Sequence, residues 1–215
     1  MLTTVAAAYR RHRFAWLFCS LILTIVASPA LHAIVPRGNV VELLLAVNLV
    51  AVVATVARED GTGWLFWVGG AFLALRAGEV VSGLPALVPF THGLWLVGCV
   101  LGMLATARYA LRSGAVDAER IFAALDVYLL AGLVFGVGYW LLGHLDATAF
   151  NETGMSLSRA TYFSFVTIAT LGYGDVLPRS ELAQSLAIVE GLGGQMYLAV
   201  LIARLVSLYA RQADT

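Results

Sequence analysis

The chain has 215 residues, of which 60% are hydrophobic and 12% are charged, and its formal net charge is zero. A soluble domain carries about 25% charged residues, so this composition excludes an ordinary soluble protein and is typical of several membrane-spanning helices. The balanced charge also leaves no basic surface of the kind that binds nucleic acid, and we expect no nucleic-acid partner.

Six apolar segments are long enough to cross a bilayer, which takes about 20 helical residues. In chain order they are residues 14–34, 40–57, 63–81, 93–111, 121–142 and 182–209. A seventh apolar segment, residues 156–169, is too short to cross and predicts a re-entrant helix that enters the membrane and returns. The sequence therefore predicts an all-α membrane protein with six transmembrane helices and one re-entrant helix.

The distribution of arginines predicts the orientation, because cytoplasmic loops carry the excess of positive charge. With a cytoplasmic N-terminus, nine arginines lie inside (Arg10, Arg11, Arg13, Arg58, Arg108, Arg112, Arg120, Arg204 and Arg211) and three outside (Arg37, Arg159 and Arg179). Both termini are then cytoplasmic, and segment 156–178 faces the outside. A signal peptide ending near residues 28–30 is an alternative reading of the first span that leaves the other spans unchanged.

A glycine-rich stretch, TIATLGYGD, follows the short helix from Thr167 to Asp175. Irregular backbone at membrane depth is tolerated only where protein buries it or water reaches it. Glycine gives the backbone the freedom to turn successive carbonyl groups toward one axis, where they replace the hydration shell of an ion.

Between its two long flanking helices, this stretch resembles the selectivity-filter signature of tetrameric potassium channels. Leu171 replaces the commoner valine, and the resemblance covers about residues 121–209. It implies that Thr170 binds the innermost K⁺ with its hydroxyl and carbonyl groups and that Gly174 closes the outer end. Carbonyl groups of the residues between them complete the K⁺ sites, namely Leu171, Gly172 and Tyr173. K⁺ is then the permeant ligand, and we expect no other cofactor.

The same resemblance assigns the support of the filter. Asp175 would lie at the outer mouth, and Tyr162 and Phe163 occupy positions where relatives often have tryptophans that brace the filter. Val166 stands where many relatives have an acid, and Thr167 is the first threonine of the signature. We hypothesise that the Tyr162 hydroxyl restrains Asp175.

The last span carries the candidate gating residues. Gly191 and Gly194 permit either close packing or a kink, and the spacing from the filter makes Gly194 the best match to the family's hinge glycine. Leu198 and Ile202 share a helical face with Gly194 and would line the cavity. Glu190 is a costly carboxyl group at membrane depth, so we expect it to be paired, protonated or facing water. The alternatives for its contact are a hydrogen bond to the back of the short helix, contact with water or ions, or neither.

The first four spans resemble a voltage sensor in position only, because the fourth has no charge between residues 93 and 106. The predicted domains are residues 1–113, this four-helix region, and residues 114–215, the pore. Arg76 lies near Glu79 and Glu42, which predicts either an ion pair or a ligand site between the helices. We expect no cytoplasmic ligand-binding domain on the chain.

The sequence thus predicts a homotetrameric, potassium-selective channel of the plasma membrane, surrounded by lipid, with weak or no voltage dependence. It is not predicted to be an enzyme, because no nucleophile–base pair, metal cluster or phosphate loop is evident. The alternatives are a poorly selective cation channel and a non-conducting membrane scaffold or sensor.

Overall fold

In the computed structural model, the described residues are 12–34, 40–56, 63, 65–82, 88–112 and 117–213. They form seven helices and, within these ranges, no β-strand; Phe150 and Pro178 form an isolated antiparallel bridge. The helices are α1 (Arg13–Ile34), α2 (Val40–Val56), α3 (Leu65–Ser82), α4 (Val88–Leu111), α5 (Ala118–Leu145), α6 (Leu157–Ile168) and α7 (Glu181–Ala213).

Each predicted apolar segment is helical, which confirms the all-α class. Three stretches are long and apolar enough to cross a membrane: Phe90–Leu111, Ala118–Leu145 and Glu181–Ser207. Helices α1 to α3 contain shorter apolar stretches, so a total of six transmembrane helices stays a prediction. With 12 residues, α6 is about 18 Å long and cannot cross a hydrocarbon core of about 30 Å.

The chain divides into two compact units. One contains the described residues within Met1–Arg112 together with Ala118–Leu130, and the other contains Ser113–Asp117 and Ala131–Thr215. Helix α5 therefore contributes its first half to one unit and its second half to the other. The predicted domain boundary, between residues 113 and 114, lies before α5, whereas the two units divide within α5 between residues 130 and 131. The predicted boundary stays a prediction.

Polar side chains join the helices of the first unit. Ser20 donates a 2.7 Å hydrogen bond to the side-chain oxygen of Asn48, and the Asn48 amide donates another of 2.7 Å to Thr24. The Trp95 indole donates to the Leu45 carbonyl at 2.8 Å. Hydrogen bonds of this kind hold transmembrane helices together where lipid offers no competing partner.

Arg76, on α3, lines a small cavity in the first unit together with Leu45, Phe72, Thr91, His92 and Trp95. The side chains of Glu42 and Glu79 lie outside the part of the chain that the structure describes. The choice between an ion pair and a ligand site for Arg76 therefore stays open. Arg10, Arg11, Arg37 and Arg58 also lie outside it, and the orientation stays a prediction.

Candidate functional site: the loop after the short helix and its supports

The short helix α6 begins at an N-cap. Ser156 has extended backbone angles, and its hydroxyl accepts a 3.2 Å hydrogen bond from the Arg159 amide. This satisfies one of the amides that the first helical turn leaves without a partner. The cap fixes where the helix starts, and its 12 residues then fix where the glycine-rich loop starts.

The C-terminal end of α6 is a Schellman motif, in which two amides beyond the helix bond back to its last carbonyls. The amide of Thr170 donates to the Thr167 carbonyl and that of Leu171 to the Val166 carbonyl, both at 2.9 Å. The residue in the left-handed position of this motif is usually glycine. Here it is Thr170, with a φ of 57°.

Left-handed residues alternate along the loop. Thr170, Gly172 and Gly174 have φ values of 57°, 56° and 77°, and Thr170 is the only non-glycine residue with positive φ in the described part of the chain. A backbone that alternates in handedness can turn successive carbonyl groups to one side, as a filter requires. A β-branched residue with positive φ is an outlier, so Thr170 is held in a costly backbone conformation.

The side chains of the loop are exposed in a single chain. Leu171 is 57% and Tyr173 67% exposed.

An ion pair holds the outer end of the loop. Arg159 Nη1 lies 3.0 Å from Asp175 Oδ2, and Arg159 Nε lies 2.9 Å from Glu152 Oε1. The Tyr162 hydroxyl interacts with the Asp175 carboxylate and favours its ionised form. Partial burial of Asp175 opposes its ionisation, but the hydrogen bonds from Tyr162 and backbone amides, with the charge of Arg159, outweigh it and lower the pKa of Asp175.

Tyr162 also contacts the loop through its ring, which stacks on that of Tyr173 with centroids 6.5 Å apart and an interplanar angle of 13°. The Arg159 guanidinium lies over the Tyr162 ring at 5.2 Å. The structure therefore brings together Tyr162, Asp175 and Tyr173, as the hypothesis about Tyr162 requires.

Asn151 ties the preceding loop to the residues after the glycines. Its side-chain amide donates to the Asp175 carbonyl at 3.1 Å, and its side-chain oxygen accepts from the Leu177 amide at 2.8 Å. The Asn151 backbone amide donates to the Leu177 carbonyl at 3.0 Å. These three bonds fix the backbone on the far side of Asp175.

Behind α6 lies an aromatic cluster. The Phe163 ring meets Tyr139 and Phe150 edge to face, with centroids 4.9 and 5.6 Å apart. Phe163 and Val166 are both buried, at 6% and 7% exposure. Both therefore support α6 by packing, and Val166 adds no polar group to the buried face of α6.

Glycines let α5 approach α6 closely. A Cβ atom on Gly136 would lie 2.8 Å from the Thr161 Cα, and one on Gly132 would lie 2.6 Å from the Phe165 ring. The Thr167 hydroxyl is occupied within its own helix, where it donates to the Phe163 carbonyl at 2.8 Å.

Gly194 lets α7 approach the end of α6. A Cβ atom there would lie 2.5 Å from Ile168 Cγ1 and 3.1 Å from the Ile168 carbonyl oxygen. A Cβ atom on Gly191 would lie 3.9 Å from the Thr167 carbonyl oxygen. Helix α7 runs without a break from Glu181 to Ala213. This geometry supports the close-packing interpretation of Gly194, and the hinge stays a prediction.

The proposed cavity residues differ in exposure: Leu198 is partly buried, and Ile202 is 60% exposed in a single chain. Glu190 is buried, at 1% exposure, and accepts a 2.7 Å hydrogen bond from the Tyr139 hydroxyl. Its other oxygen contacts the Ser164 hydroxyl on α6. Among the possibilities for Glu190, the structure thus places its carboxyl group against α5 and α6.

Sequence reasoning missed four contributors to this site, namely Tyr139, Asn151, Arg159 and Ser164. For Arg159 a signal existed, since it lies three residues before Tyr162 and hence on the same helical face. Ser164 is one of five hydroxyl-bearing residues in the 12-residue α6, so its residue type alone gave no signal. The roles of Tyr139 and Asn151 depend on contacts over 51 and 24 residues of chain and had no local signal.

Comparison with known proteins gives a family match and three relatives. Residues 125–211 match a family described as "Ion channel". The Arabidopsis thaliana protein named two-pore potassium channel 3 is 35% identical over 89 residues, which is 41% of this chain and 19% of that protein. The Paramagnetospirillum magnetotacticum protein named inward rectifier potassium channel Kirbac3.1 is 35% identical over 74 residues, or 34% of this chain and 24% of that protein.

A second Arabidopsis thaliana protein, two-pore potassium channel 4, is 37% identical over 81 residues, which is 38% of this chain and 28% of that protein. The chain thus spans less than a third of the length of these relatives. No solved structure matches the chain at a significant level.

Proposed function

We propose that the chain is the subunit of a potassium-selective channel, because residues 125–211 match an ion-channel family and the chain is similar to proteins named potassium channels. K⁺ would pass down its electrochemical gradient through carbonyl groups of residues 170–174, which replace its hydration shell. Channels of this family are not enzymes, and no chemical step is involved.

The observation that carries the proposal is the alternation of left-handed residues at Thr170, Gly172 and Gly174. Glycine adopts this conformation at little cost, whereas threonine does so only under constraint. In the proposed filter the Thr170 hydroxyl is the ligand that justifies the constraint.

One loop cannot enclose an ion, and we propose that four copies form a ring around the conduction axis. Cyclic symmetry is the usual way in which identical subunits close a ring. Neighbouring copies would cover the exposed Leu171 and Tyr173. Neighbouring copies or lipid would cover apolar residues of α7 such as Met196 and Val200, which are 68% and 61% exposed in a single chain. The plasma membrane is the proposed location, with both termini in the cytoplasm.

The proposed pore domain is residues 114–215, and the proposed four-helix domain is residues 1–113. The only basic residue in the last turn of α4 is Arg108, at its predicted cytoplasmic end, where the positive-inside rule already accounts for it. We therefore propose that voltage dependence is weak or absent.

The test is K⁺ flux into liposomes that contain the purified full chain, with barium as the blocker. Gly172→Ala places a side chain where φ is positive and should abolish flux, whereas Gly138→Ala, with no atom within 4 Å of the added Cβ, should not. Loss of flux in both variants, or in neither, would contradict the filter assignment.

The same liposomes distinguish this proposal from two alternative functions. A poorly selective cation channel would show similar reversal potentials in sodium and potassium gradients. A non-conducting scaffold or sensor would show no barium-sensitive flux although the protein is folded and inserted.

A further inference from the structure

The carboxyl group of Glu190 is enclosed among α5, α6 and α7, with 1% of the residue exposed. Oε2 accepts a 2.7 Å hydrogen bond from the Tyr139 hydroxyl on α5, and Oε1 contacts the Ser164 hydroxyl on α6. In the described part of the chain, neither Arg nor His forms an ion pair with Glu190. The titratable group that faces it is the phenol of Tyr139, which is a hydrogen-bond donor here.

Counting protons around Ser164 assigns the state of Glu190. The Ser164 hydroxyl carries one proton, and two oxygens lie within bonding distance of it: the Gly132 carbonyl, at 2.6 Å, and Glu190 Oε1. A carbonyl oxygen only accepts, and an ionised carboxylate only accepts. With Glu190 ionised, one of the two contacts would therefore bring lone pairs together with no proton between them.

A protonated Glu190 removes this conflict. Tyr139 then donates to Glu190 Oε2, the acid donates from Oε1 to the Ser164 oxygen, and Ser164 donates to the Gly132 carbonyl. Each proton in this sequence has an acceptor, and no two acceptors face each other without a proton between them. A fully satisfied buried network of this kind rigidifies the elements that it joins.

We propose that Glu190 is a neutral carboxylic acid that positions the pore helix α6 from behind, rather than a charge that contacts ions in the cavity. The inference rests on the proposed channel function and names the residue that supports its filter. Ser164 lies one helical turn before Ile168, the last residue of α6, so the bond acts directly next to the Schellman motif that starts the loop. Val166 supplies no polar group to this support, and Glu190 supplies one from α7.

Glutamine is the variant that distinguishes the two roles. Its amide nitrogen can donate to Ser164 as the protonated acid does, and its oxygen can accept from Tyr139. Leucine has a similar volume but provides neither group and leaves both hydroxyls without this partner. Aspartate is one methylene shorter and cannot reach both helices.

The first measurement is K⁺ flux, with the rubidium-to-potassium permeability ratio, from the full chain in liposomes. We expect Glu190→Gln to keep both the K⁺ flux and the permeability ratio within about twofold of the wild type. Glu190→Leu and Glu190→Asp should lower the K⁺ flux about tenfold or shift the permeability ratio. A Glu190→Gln channel that loses K⁺ flux as strongly as Glu190→Leu would overturn the proposal, since Gln can form both hydrogen bonds of the protonated acid but carries no negative charge.

The second measurement does not depend on conduction. Infrared difference spectra of wild type minus Glu190→Gln at neutral pH should contain the carbonyl stretch of a protonated carboxylic acid, which shifts in D₂O. Asp126, a second fully buried acid, contributes equally to both proteins and cancels. Absence of this band, or a carboxylate band in its place, would overturn the inference even if the wild type conducts K⁺. Absence of wild-type flux would contradict the proposed function, and the spectrum would still determine the protonation state.

Discussion

The guanidinium group of Arg159 lies 3.0 Å from the Asp175 carboxylate and joins the first turn of α6 to the end of the glycine-rich loop. The same side chain reaches Glu152 at 2.9 Å and thereby links the loop before α6 as well. Both partners of the Arg159–Asp175 pair are partly exposed, at 38% and 40% of the side chain. The pair therefore acts chiefly on the geometry of this end of the loop, the proposed outer mouth, since exposed ion pairs add little to overall stability.

Acid should release the outer mouth by protonating Asp175. Because the folded state lowers the pKa of Asp175, the stabilisation from this group is present above its unfolded value, about 3.9, and is lost as the pH falls below that range. Arg159→Gln should raise this pKa, so inactivation on external acidification should begin at a higher pH. Single-channel recordings across external pH provide the measurement. Arg179→Gln removes an outer charge outside this ion pair and should leave the profile unchanged; an equal shift would indicate a general surface effect.

The Tyr162 hydroxyl should restrain Asp175. Tyr162→Phe removes the hydroxyl that favours ionised Asp175 but keeps the ring that stacks on Tyr173 at 6.5 Å, so we expect altered inactivation or rectification with selectivity retained. Tyr162→Ala removes both contacts and should have the larger effect. Single-channel records that are unchanged in Tyr162→Phe would show that the hydroxyl has no such role.

Replacing Thr170 by glycine should make the fold more stable and weaken ion binding. Its φ of 57° costs roughly 1–2 kcal/mol in a non-glycine residue, so Thr170→Gly should raise the melting temperature of the protein in detergent. The same change removes the proposed innermost hydroxyl ligand and should weaken K⁺-dependent stabilisation and barium block. Thr170→Ser keeps the hydroxyl and serves as the control. A Thr170→Gly variant that binds barium as tightly as the wild type would contradict the assignment.

Adjacent glycines on α7 should differ in their tolerance of alanine. A Cβ atom on Gly194 meets Ile168 at 2.5 Å, whereas one on Gly193 has no atom within 4 Å. Gly194→Ala should therefore destabilise the fold by about 1–3 kcal/mol, and Gly193→Ala should be neutral or stabilising by up to about 1 kcal/mol.

Thermal melts measure both effects, and flux recordings separate packing from hinge motion. If Gly194 acts through packing, adding Ile168→Ala should restore the melting temperature that Gly194→Ala lowers. If Gly194 acts as a hinge, the double variant should melt normally but still gate abnormally.

The conductance should change little with voltage. Segment 93–106 contains no charged residue, so α4 lacks the regularly spaced arginines that move through the field in a voltage sensor. Conductance measured against voltage in symmetric potassium should be shallow. A steep curve would show that charges elsewhere in the chain, such as Arg76, move in the field.

Part of this site could be predicted from the sequence because the relevant signals are local. The positions of α5, α6 and α7 follow from segment length and hydropathy, and the motif from Thr167 to Asp175 is contiguous. The supports could not be predicted in the same way. Glu190 and Ser164 are 26 residues apart, and Glu190 and Tyr139 are 51 apart, so nothing in either segment alone specifies the pairing.

The sequence by itself determined the membrane class, the order of long helix, short helix, loop and long helix, and the resemblance to potassium channels. Composition and short-range spacing are sufficient for these because membrane length and glycine chemistry act on neighbouring residues. Only the tertiary structure decided that Gly194 contacts Ile168, that Arg159 holds Asp175 and that Glu190 bonds to α5 and α6. Those contacts depend on how α5 and α7 pack against α6, and close packing is a property of the folded helices together.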